Sequence, residues 1–204
     1  MKILGLTGGI GTGKSTAAAM LRRMGVAVFD ADAEVHRLLG PGGAAAKAVA
    51  AEFPGVEKSG AIDRQALGAI VFADPVALKR LEAILHPLVR ARERLFLKTQ
   101  RARRARVAAL DIPLLYESGR DRHCDAVMVL WAPPFLQRAR ALSRPGMNKE
   151  RLAAILALQL PLHRKRRIAD FAVPSGLGRA ATWRALARRL GRLRACGAES
   201  GGAD

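Results

Sequence analysis

Gly8-Gly9-Ile10-Gly11-Thr12-Gly13-Lys14-Ser15 decides how the rest of the chain is read. It fits G-x-x-x-x-G-K-[ST], the phosphate-binding P-loop, and its flanks have the character the motif needs. Lys2 to Thr7 reads as a short buried strand, and Ser15 to Met24 as a helix. Gly9, Gly11 and Gly13 let the backbone curl so that successive N–H groups point inward at phosphate oxygens. The helix amino terminus adds the positive end of its dipole. Lys14 reaches the β- and γ-phosphates, and the Ser15 hydroxyl is placed to bind Mg²⁺. Thr12 within the loop and Thr16 just after it complete the expected triphosphate contacts. A glycine-rich turn can match the pattern by chance, but here strand, loop and helix stand in register.

The 204 residues suit one domain with embellishments. Only 4% are aromatic, and Ala and Leu dominate, which favours helices with aliphatic packing. With a strand starting at residue 2, no signal peptide is expected, and no apolar run approaches a membrane span. Cys124 and Cys196 lack disulfide-framework or zinc-ligand spacing, so a reducing cytoplasm is the expected setting. The formal net charge of +18 favours polyanionic partners such as nucleic acid, acidic membrane or phosphorylated small molecules. An excess made mostly of Arg in an Ala- and Gly-rich chain fits a compositional bias toward GC-rich codons equally well.

Beyond the first helix, Gly25 to Phe29 reads as a second strand with Asp30-Ala31-Asp32 at its carboxyl end. Ligands of open α/β sheets bind outside that end of the strands, so these acids are candidates for catalysis or metal binding. On an extended segment the two would point in different directions. Either could instead cap a helix starting near Ala33.

Residues 33 to 104 read as helices alone: Ala33–Leu39, Ala44–Phe53, Arg64–Phe72 capped by Asp63, one opened by Asp74-Pro75, and a long one beginning at His86-Pro87. No strand is expected among them. An insertion of this length usually carries substrate recognition. The basic run Arg101 to Arg106 reads as a solvated helix end.

Val107-Ala108-Ala109-Leu110-Asp111 is an apolar run closed by an acid, the pattern of a strand whose Asp holds Mg²⁺. Asp125 to Trp131 reads as another buried strand. Phe135 to Ser143, the Arg144-Pro145-Gly146 break and a helix from Lys149 make two arms around a hinge-prone tip, as in a mobile lid. Its cationic side chains, Arg138 and Arg140 among them, can close over a triphosphate; a plain helical hairpin with solvated arginines is the alternative. Ile168 to Val173 reads as the last strand and Gly178 to Ala195 as an amphipathic helix burying Leu186, Leu190 and Leu193.

These elements give an α/β, three-layer P-loop kinase fold with a mainly parallel sheet, a helical substrate-binding insertion and a lid. The expected partition is a core at about 1–32 and 105–196, an insertion at about 33–104, a lid at about 136–160 and a disordered tail at about 197–204.

The arrangement resembles the nucleoside-monophosphate kinases, and within them the dephospho-coenzyme A kinase family over nearly the whole chain. The matching pieces are Gly5 to Ser15, Asp30-Ala31-Asp32, Leu85-His86-Pro87-Leu88-Val89, Asp111-Ile112-Pro113-Leu114-Leu115-Tyr116-Glu117, Arg140 to Gly146, Gln159 and Ala169-Asp170-Phe171. The resemblance implies transfer of the ATP γ-phosphoryl group to the ribose 3′-hydroxyl of dephospho-coenzyme A, the last step of coenzyme A biosynthesis, with Mg²⁺. It implies that Asp32 accepts or orients the hydroxyl proton, and that Arg140 and Arg144 act on phosphates from the lid. It further implies that the insertion holds the acceptor, with His86 in a substrate-side or structural role. One departure stands out: Pro174-Ser175-Gly176 occupies the place of an Asn-bearing sequence near the adenine. Another small-molecule kinase on the same scaffold, or a nucleotide-switched nucleic-acid module, is the rival reading. The dispersed arginines and scarce aromatics speak against the second.

Overall fold

The structure, a computed structural model, describes residues 1–195, apart from the Phe72 side chain. The expected tail at 197–204, like Cys196, lies outside the described residues. In chain order the elements are β1 (Lys2–Gly8), α1 (Lys14–Arg23), β2 (Ala27–Asp30), α2 (Ala31–Leu39) and α3 (Ala46–Glu52). Then come β3 (Glu57–Lys58), β4 (Ala61–Ile62), α4 (Arg64–Ala73) and α5 (Pro75–Ala102). The remainder are β5 (Val107–Asp111), β6 (Ala126–Trp131), α6 (Pro134–Leu142), α7 (Lys149–Ala157), α8 (Leu162–Ile168), β7 (Phe171–Pro174) and α9 (Arg179–Ala195). None of the helices is long and apolar enough to cross a membrane, among the described residues.

The chain divides into two compact units. Among the described residues, one comprises Met1–Phe29 and the residues from Gln100 to Ala195; the other is Asp30–Thr99. The first is built on a five-stranded sheet of order β2-β5-β1-β6-β7. β1 runs parallel to both β5 and β6, and β6 runs parallel to β7. Side chains alternate between the two faces of a strand. Leu4, Leu6, Met128, Leu130 and Val173 therefore meet Ala17, Ala18 and Leu21 of α1 and Leu186, Leu190 and Leu193 of α9 on one face. Each fully buried Leu contributes roughly 1.5–3 kcal/mol, so this cluster anchors the helix that follows the P-loop. On the other face, Leu115 and Cys124 lie so close to Gly5 that any side chain there would collide with both.

The register fixes where the loops lie. Leu6 pairs with Asp111, Gly8 with Leu130, and Trp131 with Pro174. The residues leaving β1, β5, β6 and β7 therefore emerge at one carboxyl edge. A mainly parallel sheet dressed with helices is what the sequence predicts, and it is what the chain forms.

Three departures from expectation have a clear physical cause. The last strand begins at Phe171, because Leu162–Ile168 is helical and Ile168 is its exposed end. Asp170 explains the late start: its carboxylate accepts the Val127 amide at 2.7 Å before pairing begins.

The second correction concerns residues 33 to 104, which are not helices alone. β3 and β4 form a hairpin pairing Glu57 with Ile62, turned by Ser59 and Gly60, both at positive φ. Strands of two residues carry no alternation for a sequence reading to detect.

Third, His86-Pro87 does not start a helix but lies within the 28 residues of α5. Proline in a helix interior costs roughly 3 kcal/mol. Ala77, Leu81, Leu85 and Val89, at four-residue intervals, and Leu97 eight residues further on form a buried stripe. At roughly 1.5–3 kcal/mol for each large side chain, that stripe outweighs the proline. Within the same unit, buried Glu34 is met by Arg37 and by Arg92 Nε at 3.5 Å.

Candidate active site

At the sheet's carboxyl edge the P-loop holds its shape through its own groups. Gly11 and Gly13 sit at φ 76° and 81°, in left-handed backbone that glycine adopts without strain. Thr12 is fully buried; its hydroxyl donates to the Gly9 carbonyl at 2.7 Å and its amide to the same oxygen at 3.2 Å. Thr12 thus closes the loop, while Ser15 and Thr16, in the first turn of α1, face solvent. α1 has no side-chain N-cap and no acid in its first turn. Its leading amides and dipole are therefore directed at whatever anion the loop receives.

Lys14 and Asp111 meet here. The Leu6–Asp111 register carries the carboxylate to the loop, and Lys14 Nζ donates to Asp111 Oδ1 at 2.6 Å. Asp111 is 2% exposed and Lys14 16%, so the pair lies in a low-dielectric setting where each charge strongly orients the other.

α6 packs directly onto the loop. Its Gln137 carbonyl sits where a Gly11 side chain would have to be, and the Gln137 amide group fills the corresponding space at Gly9. From the same helix Arg140 donates from Nη1 to Ser175 Oγ at 3.2 Å and from Nη2 to the Ser175 carbonyl at 3.0 Å. Beyond α7, Gln159 Oε1 accepts the Ile10 amide at 3.2 Å. A cavity of about 250 Å³ opens beside the loop, lined by Gly13, Thr16, Arg140, Ser175, Arg179 and Thr182 among others. Arg144, at the tip between α6 and α7, is exposed.

Behind these contacts runs a polar network that sequence reasoning missed. Lys165, fully buried, donates to Glu117 Oε1 at 2.7 Å and to the Pro113 carbonyl at 3.2 Å. The same carbonyl accepts the Thr7 hydroxyl at 2.9 Å, and Glu117 Oε1 also accepts the Leu160 amide at 2.6 Å. It ties the strand before the P-loop to the segment after α7. Within Arg164-Lys165-Arg166-Arg167 nothing in composition singles out the one that turns inward. Nearby, the Tyr116 hydroxyl is buried without a hydrogen-bond partner among the described residues. Burial, with Asp170, Asp121 and Cys124 adding to it, pushes its pKa up to about 12.

The remaining candidates belong to the Asp30–Thr99 unit. Asp30 is the N-cap of α2, its carboxylate accepting the Ala33 amide at 3.0 Å. Asp32 is exposed and occupies the first turn of that helix rather than an extended segment. His86 is exposed on α5, off the buried stripe.

The donor set suits Mg²⁺. This ion keeps most of its waters and takes one or two protein oxygens plus substrate phosphates, and the Ser15 hydroxyl and Asp111 carboxylate supply that number. No cluster of three or more His, Cys, Asp or Glu that could cage a metal occurs among the described residues.

Comparison with known proteins identifies the family. The family model for dephospho-CoA kinase matches residues 2–176. The dephospho-CoA kinase of Paramagnetospirillum magneticum is 63% identical over 166 residues, covering 81% of this chain and 78% of the relative. Among solved structures, TT1252 from Thermus thermophilus superposes with a TM-score of 0.80 at 33% identity, covering 93% and 95% of the two chains. The dephospho-CoA kinase from Campylobacter jejuni gives 0.60 at 26% identity, covering 94% and 97%. Loop, buried acid and arginine-bearing helix all fall within the matched span, and the chain belongs to the dephospho-CoA kinase family.

Proposed function

We infer that the chain transfers the γ-phosphoryl group of ATP to the ribose 3′-hydroxyl of dephospho-coenzyme A, giving coenzyme A and ADP. The observation that carries this reading is the family match over residues 2–176, which takes in the P-loop, Asp111 and Arg140 together.

In the transfer, the ribose oxygen forms a bond to the γ-phosphorus as the bond to the β,γ-bridging oxygen breaks. Positioning and charge neutralisation do most of the work in such reactions. Gly9, Gly11, Thr12 and Gly13 shape the phosphate cradle, and the first-turn amides of Lys14, Ser15 and Thr16 face the anion. Lys14, oriented by Asp111, supplies a fixed positive charge to the β- and γ-oxygens. Arg140, beside Gly13 at the loop, adds a second positive charge, and Arg144 joins it from the tip between α6 and α7. Asp32 takes up the hydroxyl proton, a role it receives from the family resemblance; His86 belongs to the acceptor side on the same ground. Ser15 and Asp111 would hold Mg²⁺, which would supply positive charge to offset that of the phosphates.

The product tests the reading. Dephospho-coenzyme A has a free 2′,3′-diol that periodate cleaves, whereas a 3′-phosphorylated product lacks the diol and survives. Conversion to a periodate-resistant product with one ADP released per molecule is expected; a product that periodate still cleaves would refute the assignment. Asp32→Asn should lower turnover by about 10²–10⁴-fold and leave ATP affinity within about twofold, whereas Lys14→Ala should impair both. Near-normal turnover in Asp32→Asn would remove the aspartate from the reaction.

A further inference from the structure

Ser175 stands in the Pro174-Ser175-Gly176 stretch at the end of β7, and it is 7% exposed. Its amide donates to the Trp131 carbonyl at 2.9 Å, which fixes the residue just past the end of β7. Its hydroxyl has one proton and two neighbouring carbonyls, Thr12 O at 2.6 Å and Trp131 O at 3.3 Å. The shorter contact takes the proton, so the P-loop carbonyl of Thr12 is the acceptor. That leaves the oxygen's lone pairs for Arg140 Nη1 at 3.2 Å, while the backbone carbonyl of the same serine receives Nη2 at 3.0 Å. Two parallel N–H groups of one guanidinium are thus met by two oxygens of one residue, a match to the planar fork of arginine.

We propose that Ser175 is a positioning residue for Arg140: its hydroxyl, donating to the P-loop and accepting from the guanidinium, sets the arginine at the edge of the phosphate cradle. The proposal rests on the reading of Arg140 as a phosphate-facing group. A neutral hydroxyl suits the task, because it fixes the orientation of the cation without cancelling its charge. A carboxylate in its place would compete with phosphate for the same guanidinium. Gly13 completes the arrangement. A Cβ there would lie 3.9 Å from Arg140 Nη1 and 3.5 Å from the Ser175 Cβ, in ordinary van der Waals contact, so it is the left-handed φ of 81° that calls for glycine.

The test is a double-mutant cycle of Ser175→Ala and Arg140→Ala, read on ATP affinity by calorimetry and on turnover with dephospho-coenzyme A. Ser175→Ala alone should lower kcat by about tenfold, the loss of one hydrogen bond to a charged group, with KM for dephospho-coenzyme A nearly unchanged. It should weaken ATP binding in the same direction. Ser175→Thr, which keeps the hydroxyl, should restore most of both. In the Arg140→Ala background, Ser175→Ala should change neither quantity. Equal losses in both backgrounds would mean that the hydroxyl serves only the loop, and would overturn the proposal. So would a folded Ser175→Ala protein that matches the parent in both readouts. Thermal unfolding of each variant separates these outcomes from loss of fold. If the parent chain binds ATP but gives no turnover with dephospho-coenzyme A, the functional reading fails, while the cycle on ATP affinity still decides the role of Ser175.

Discussion

Two side chains behind the phosphate site carry unusual physical burdens. Lys165 is fully buried and relies on Glu117 and one carbonyl to offset its desolvation. Removing one partner of such a pair strands the other, at a cost of about 3–5 kcal/mol. Lys165→Met should therefore lower Tm by roughly 10 °C, and adding Glu117→Gln should recover part of that loss in thermal unfolding. An unchanged Tm in the single variant would show that the pair contributes nothing. Tyr116 is the opposite case, a buried hydroxyl without a partner among the described residues. Tyr116→Phe should leave stability unchanged or raise it by about 1 kcal/mol. It is also the chain's one tyrosine, so its phenolate absorbance can be followed directly. The midpoint is expected near 12. Because the folded pKa lies above the phenol's ordinary value of 10.0, the neutral hydroxyl's contribution is intact below that value. It is lost as pH rises toward 12, where the unfolded chain ionises first.

At the scale of elements, the decisive contact is α6 lying on the P-loop. Gly11→Ala would place a methyl against the Gln137 carbonyl and strain a left-handed residue. It should weaken ATP binding by at least about tenfold, corresponding to about 1–2 kcal/mol of backbone strain, and calorimetry would register it. Native affinity in that variant would mean that α6 moves away without cost. The elements most legible in the sequence are those with a strong local code. The P-loop announces itself through its glycines, β5 and β6 through unbroken apolar runs, and α9 through the spacing of Leu186, Leu190 and Leu193. What stayed hidden depends on tertiary context. α5 passes through His86-Pro87 because a buried stripe outweighs one lost hydrogen bond. α8 is masked by its four consecutive basic residues. The β3–β4 hairpin is too short for any period to show.

Over the whole molecule, the site reads unevenly for the same reason. Lys14, Asp111 and Arg140 are visible as motif residues, and the sheet register brings them to one edge. Ser175, Gln159 and Lys165 act through contacts spanning tens to more than a hundred residues of sequence, which no local pattern encodes. The net charge of +18 is a property of the chain as a whole. The proposed reaction gives it no nucleic-acid partner, so added single-stranded DNA should not stimulate ATP turnover. The central claim is tested most directly by a coupled ADP-release assay across dephospho-coenzyme A, nucleoside monophosphates and shikimate-like acceptors. Turnover with dephospho-coenzyme A alone, abolished in Lys14→Ala, is the expected result. Comparable or faster turnover with a nucleoside monophosphate or a small alcohol would contradict it.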